Sequence, residues 1–195
     1  MPKMTRQAFP LIIDGMFGAA GRILAADGQV HQVLLGLDTE SQVATSVIAT
    51  GPDLPENDPV RAEAAASTLL LPGPLPRHVD LIAELFRARK VVAAVHIAET
   101  WVVEGDAALD VIRRTARPSG HPDRQEGVLV VGHWPAGLST VVLAGRIFRD
   151  PAGRPSLIPE PDPAPAPIRS GGIVSWLDLL LPGLAGHRPV RPSGN

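Results

Sequence analysis

The sequence predicts an α+β domain: a mainly antiparallel sheet of about five strands, helices packed on one face, and a proline-rich C-terminal tail. Three observations point there. Apolar residues recur at helical spacing in two stretches of the first 90 residues, and an N-cap signal with an Ala-rich run marks a third helix between them. Runs rich in Val, Ile and Thr follow one another with only short polar connections, as in an antiparallel meander. After Asp150 the composition turns to Pro, Ala and polar residues, which marks an extended segment. The expected division is 1–150 for the domain, 151–172 for a linker, and 173–195 for an apolar segment with a disordered end.

Residues 7–26 read as the first helix, with Leu11, Ile12, Met16, Ala19, Ala20, Ile23 and Leu24 at helical spacing and Pro10 in the first turn. Gly15, Gly18 and Gly21 fall three apart, a ridge on which another element could approach closely. It is no phosphate loop, because no strand precedes it and no Lys-Ser/Thr follows. Residues 30–38 and 42–50 form a strand pair across the polar connection TES. Asp58-Pro59 resembles an N-cap with Pro at the first helical position, so a helix is expected from Pro59 to about Leu71. PGPLP breaks it, and a third helix runs from about Arg77 to Arg89 with Val79, Ile82, Leu85 and Phe86 on one face. Residues 90–106 are the longest strand candidate. Residues 127–134 and 139–150 are the next two, joined by PAGL.

Composition narrows the function. The chain has 195 residues, 45% of them hydrophobic and 19% charged, so it can bury a core. A net charge of −2 gives no reason to expect nucleic acid or an anionic membrane as partner. Aromatics are few, with no Tyr, which argues against a base-stacking surface. There is no Cys, so disulfides, Cys-ligated metals and thiol nucleophiles are excluded, and a reducing, cytoplasmic setting fits. Asp14 interrupts the N-terminal apolar run, which therefore reads as mature protein rather than a signal peptide. No run of ~20 consecutive apolar residues suggests a membrane span. Lys3 and Lys90 are the only lysines. This Arg bias, with the abundant Ala, Gly and Pro, suggests a GC-rich bacterial or phage genome.

Two regions could carry function. PSGHPDRQE, residues 118–126, packs Ser119, His121, Asp123, Arg124 and Glu126 together between strands. His121 and Asp123, with His96 and Glu99 of the long strand and His133 near by, are the candidate acid–base or metal-ligating set. His96 and Glu99 differ by three, so a regular strand points them to opposite faces. Ser119 and Asp123 also make good turn residues, as do Pro118 and Pro122, and the turn reading is favoured. Glu99, flanked by Ile97 and Trp101, is expected to need a partner such as Arg124 or Arg146. No GxSxG elbow, Rossmann fingerprint or P-loop occurs, and no cofactor or metal is expected.

The second region is the apolar segment 173–184. Trp176, Leu177, Leu180 and Leu181 there, with Arg124 and Trp101 on the sheet, are the candidate binding residues. The segment must fold back on the domain or dock on another chain.

The run ETWVVEGD…PSGHPDRQEGVLVV, within residues 91–131, resembles uncharacterised small α+β proteins of bacteria and their phages. In these a Trp-bearing strand precedes a Pro-Ser…Pro-Asp-Arg loop. The resemblance implies no activity. The expected function is a non-enzymatic accessory protein that assembles with a protein partner or with itself, through a sheet edge and the 173–184 segment. A hydrolase using the 118–126 loop and a small-ligand binder, with its pocket between helices and sheet, are the alternatives.

Overall fold

The computed structural model describes residues 3–50, 68–102, 124–160 and 173–181. The 20-residue helix α1 (Ala8–Asp27) opens the chain. The Thr5 hydroxyl accepts the Ala8 N–H at its start. Gly28 ends it in the left-handed conformation at φ 78°, donating its N–H to the Leu24 carbonyl. Strands β1 (Val33–Leu37) and β2 (Val43–Thr50) pair antiparallel. The Asp38 carboxylate holds the turn between them by accepting the N–H groups of Glu40 and Gln42. Strand β3 (Thr68–Pro72) leads through a 3₁₀ turn, Leu75–His78, into α2 (Val79–Ala88). Strands β4 (Ala93–Val102), β5 (Gln125–Trp134), β6 (Ser139–Arg149) and β7 (Pro155–Pro159) form a meander, and α3 (Ile173–Leu180) is the last described helix.

The seven strands make one mixed sheet in the order β3-β2-β1-β4-β5-β6-β7. Only β2 and β3 run parallel. The sheet is thus larger than the five antiparallel strands expected. The seventh strand, Pro155–Pro159, falls where the sequence reads as linker, and it pairs with β6 from Arg149 to Gly145. Residues 68–71 are strand, not the end of a helix from Pro59. A short apolar run has no decisive periodicity, and pairing with β2 settles its conformation. Residues 59–67 and the 161–172 part of the linker lie outside the described residues.

Helices cover both faces, not one. The α1 face collects Phe9, Ile13, Phe17, Ala20 and Leu24 against Val95, Ile97, Val128 and Val130. The opposite face collects Ile82 and Phe86 of α2 with Leu177 and Leu180 of α3 against Leu34, Val47, Ala94 and Val131. The reason lies in the strands. Residues 93–97 of β4 are buried on both sides, so each side needs a helix. By length and composition α1 could cross a bilayer, but its apolar stripe lies on the sheet like that of a core helix.

Close approach is made by sheet glycines, not by the helix ridge. A Cβ at Gly132 would run into Ile13 and the Phe9 ring, and one at Gly145 would lie 2.7 Å from the Phe17 ring. A Cβ at Gly15 would meet nothing within 4 Å, and Gly21 makes only ordinary contact with Leu157. Gly132→Ala should therefore destabilise by about 1–3 kcal/mol through overpacking. Gly15→Ala should stabilise by about 0.5–1 kcal/mol through helix propensity. Urea denaturation of both variants checks the contrast.

Candidate functional site

α1 sits over the β5–β7 half of the sheet. Its other flank and the β1–β2 half border a half-open cavity of about 330 Å³. Met16, Ala19, Ala20 and Ile23 form the helix wall. Val33 and Leu35 of β1, Ile48 of β2 and Ile97 of β4 form the floor, and Val30 and His31 close one end. Alternation puts the floor residues on one face: Val33 pairs with Ile48 across β1–β2 and with Ile97 across β1–β4. Among the described residues of this lining His31 is the single polar side chain, and it lies 3.5 Å from the Gln29 amide.

Glu99 shapes the end of this cavity. Its carboxylate accepts the Val30 N–H at 2.6 Å, which pins the chain between α1 and β1. The expected arginine partner is thus replaced by a backbone amide. Arg124 instead lies over the Trp101 ring, 5.0 Å from its centroid, and Arg146 pairs with Glu160. Glu126 forms the cross-strand pair its position suggests, with Arg149 at 3.2 Å.

The other face of the sheet holds a second polar cluster. Ala94 faces His133 and His96 faces Val131 across β4–β5, so both histidines point to the side covered by α3. His96 and Glu99 are on opposite faces, as their spacing requires, and do not form one site. The His96 Nε2 accepts from the Gln32 amide at 2.9 Å. The Trp176 ring stands nearly perpendicular to its imidazole, 5.6 Å between centroids. Its Nδ1 has no hydrogen-bond partner among the described residues. Burial pushes the His96 pKa from 6.5 down to about 4. His133 bridges two elements: Nδ1 lies 2.9 Å from the Thr140 hydroxyl and Nε2 lies 2.7 Å from the Asp178 carboxylate of α3.

Of the expected site residues, His121 and Asp123 lie outside the described residues. Leu177, Leu180 and Leu181 are buried within the chain, and Trp176 is half-buried over His96. Trp101 and Arg124 partner one another at the surface. Gln32, Thr140 and Asp178 were missed from sequence, and a pocket between helices and sheet was expected without its lining residues. Two signals were available. Thr140 and His133 flank the short PAGL connection at positions a tight hairpin brings opposite, and Asp178 is the lone charge in an otherwise apolar helix. Among the described residues no group of three His, Cys, Asp or Glu could hold a metal ion. No protein-family model matches the chain, and no curated protein or solved structure is significantly similar to it.

The buried neutral His96 predicts acid sensitivity. Its folded pKa lies below its unfolded value, so the unfolded chain takes up a proton first as pH falls. Its contribution is complete above about pH 6.5 and is lost between there and pH 4, amounting to about 3 kcal/mol. Chemical denaturation across that range should show this slope, and His96→Leu should flatten it. An equal slope in both proteins would overturn the assignment to His96.

Proposed function

We propose that the protein binds a small, uncharged aliphatic molecule between α1 and the β1–β2 half of the sheet. The observation that carries this reading is the 330 Å³ cavity with almost wholly apolar walls. Its volume falls within the range of small-molecule sites. Water gains little there, because it needs two to four polar partners and the walls supply one imidazole. The chemistry of the wall selects the occupant. Among the described residues no charged side chain lines it, so a free carboxylate or amine would be desolvated without compensation. Nor does any benzenoid or indole ring among the described residues line it, so shape and aliphatic contact decide affinity. An alkyl chain or small alicyclic skeleton fits, with a hydroxyl or carbonyl able to reach His31.

The assembly reading has less support. In the described part of the segment, 173–181, Leu177, Leu180 and Leu181 pack against the domain itself. Both edge strands have five residues and carry prolines, Pro72 on β3 and Pro155 and Pro159 on β7. Short edges bearing Pro are poor templates for another strand.

Decan-1-ol serves as the test ligand in thermal melts. At a hundredfold excess over Kd, mass action stabilises by about 2.7 kcal/mol, which raises Tm by about 5–10 °C for a chain of this size. Ala19→Phe places a ring in the cavity and should abolish the shift while leaving its own melt cooperative. No shift in the wild type, or the same shift in both proteins, overturns the reading.

A further inference from the structure

The hydrogen bonds around His133 admit one proton arrangement when the imidazole is neutral. An ionised carboxylate only accepts, so the contact to Asp178 requires the proton on Nε2. Nδ1 is then a lone pair, and the Thr140 hydroxyl 2.9 Å away must donate to it. The hydroxyl thus faces a base, and the base is oriented by a carboxylate. This is the arrangement that activates a hydroxyl nucleophile. It lies on the face of the sheet opposite the apolar cavity and is independent of it.

We infer that Thr140 is an acyl-accepting nucleophile, with His133 as its general base and Asp178 positioning the imidazole, and that the substrate class is a small activated ester or thioester. The placement of each group supports this role. Thr140 and His133 are direct cross-strand partners, so their spacing is set by the β5–β6 ladder and not by a loop. Thr140 is exposed and can meet a substrate, while His133 is 8% exposed and held in place. Asp178 arrives from α3, which Leu177 and Leu180 anchor in the core. A secondary hydroxyl with a single base is a modest nucleophile, which restricts the donor to acyl groups with good leaving groups.

The step balances. The Thr140 oxygen attacks the carbonyl carbon while its proton passes to Nδ1, giving an imidazolium stabilised by Asp178. The carbon–leaving-group bond breaks, and the departing oxygen or sulfur takes the proton from Nδ1. An acyl ester remains on Thr140. Water, deprotonated by Nδ1, then releases the carboxylic acid and restores the hydroxyl.

The test uses the full chain with p-nitrophenyl acetate, following nitrophenolate release and the site of acetylation by peptide mass spectrometry. The expected label is on Thr140. Thr140→Val, which keeps the side-chain shape, should lower the rate about a hundredfold or more. Thr140→Ser should retain it. Asp178→Asn should lower the rate and alter the pH profile, because an amide can donate to Nε2 and favour the wrong tautomer. Melts of each variant separate these effects from loosening of α3. Absence of release above buffer, an unchanged rate in Thr140→Val, or a label confined to Ser139, a lysine or His133 itself overturns the inference.

Discussion

Strands β4 and β5 pair over nine positions, from Ala94–His133 to Val102–Gln125, and their central residues are apolar on both sides. Val95, Ile97, Val128 and Val130 face α1, while Ala94, Val131 and the two histidines face α2 and α3. Such a pair is stable only with cover on each side. The three-layer arrangement follows from that requirement. It also accounts for α3, which returns to the sheet after a long polar stretch. Leu177 and Leu180 are fully buried there and each contributes about 1.5–3 kcal/mol.

The same constraint creates the cavity. Gly132 and Gly145 lower the sheet surface under the first half of α1, so Ile13 and Phe17 sit directly on β5 and β6. Nothing comparable lies under the flank that faces β1 and β2. There Val33, Leu35 and Ile48 carry full side chains, while α1 sets Ala19 and Ala20 between Met16 and Ile23. Small residues on the helix and branched ones on the strands leave a gap. Close packing at one end and empty space at the other are thus two results of one helix docking. Glu99 completes the arrangement by holding Val30 where the chain turns from the helix into β1.

Much of this was legible in the chain. The strands of the meander, α1 and α2 appear where periodicity puts them, because each is long and bounded by turn residues. The separation of His96 from Glu99 follows from strand alternation alone. What escaped was long-range. Residues 155–159 carry two prolines and read as linker, yet β6 recruits them as an edge strand, where a missing N–H is tolerated. Residues 68–71 have no periodicity of their own and take their form from β2. Glycine spacing in α1 pointed to the wrong partner, since close approach depends on which surface is lowered, and that was the sheet. Asp178 and His133 stand 45 residues apart, and only the docking of α3 makes them neighbours.

That last contact couples two properties through one proton. With neutral His133, Nδ1 is free to accept from Thr140, and the link to Asp178 is a hydrogen bond from Nε2–H to a carboxylate. The ionised acceptor makes that link charge-assisted, so one contact both docks α3 on the sheet and fixes the tautomer that leaves Nδ1 facing Thr140. Removing the Asp178 carboxylate therefore loosens α3 and releases the base from its orientation together. His96, buried beside Trp176 with its pKa lowered, opposes acid on the same face of the sheet. Among the described residues it has no carboxylate partner of the kind Asp178 gives His133, and burial makes it resist a proton. One imidazole on this face is thus oriented by a carboxylate and the other meets an amide, a difference set by the position of Asp178 on α3.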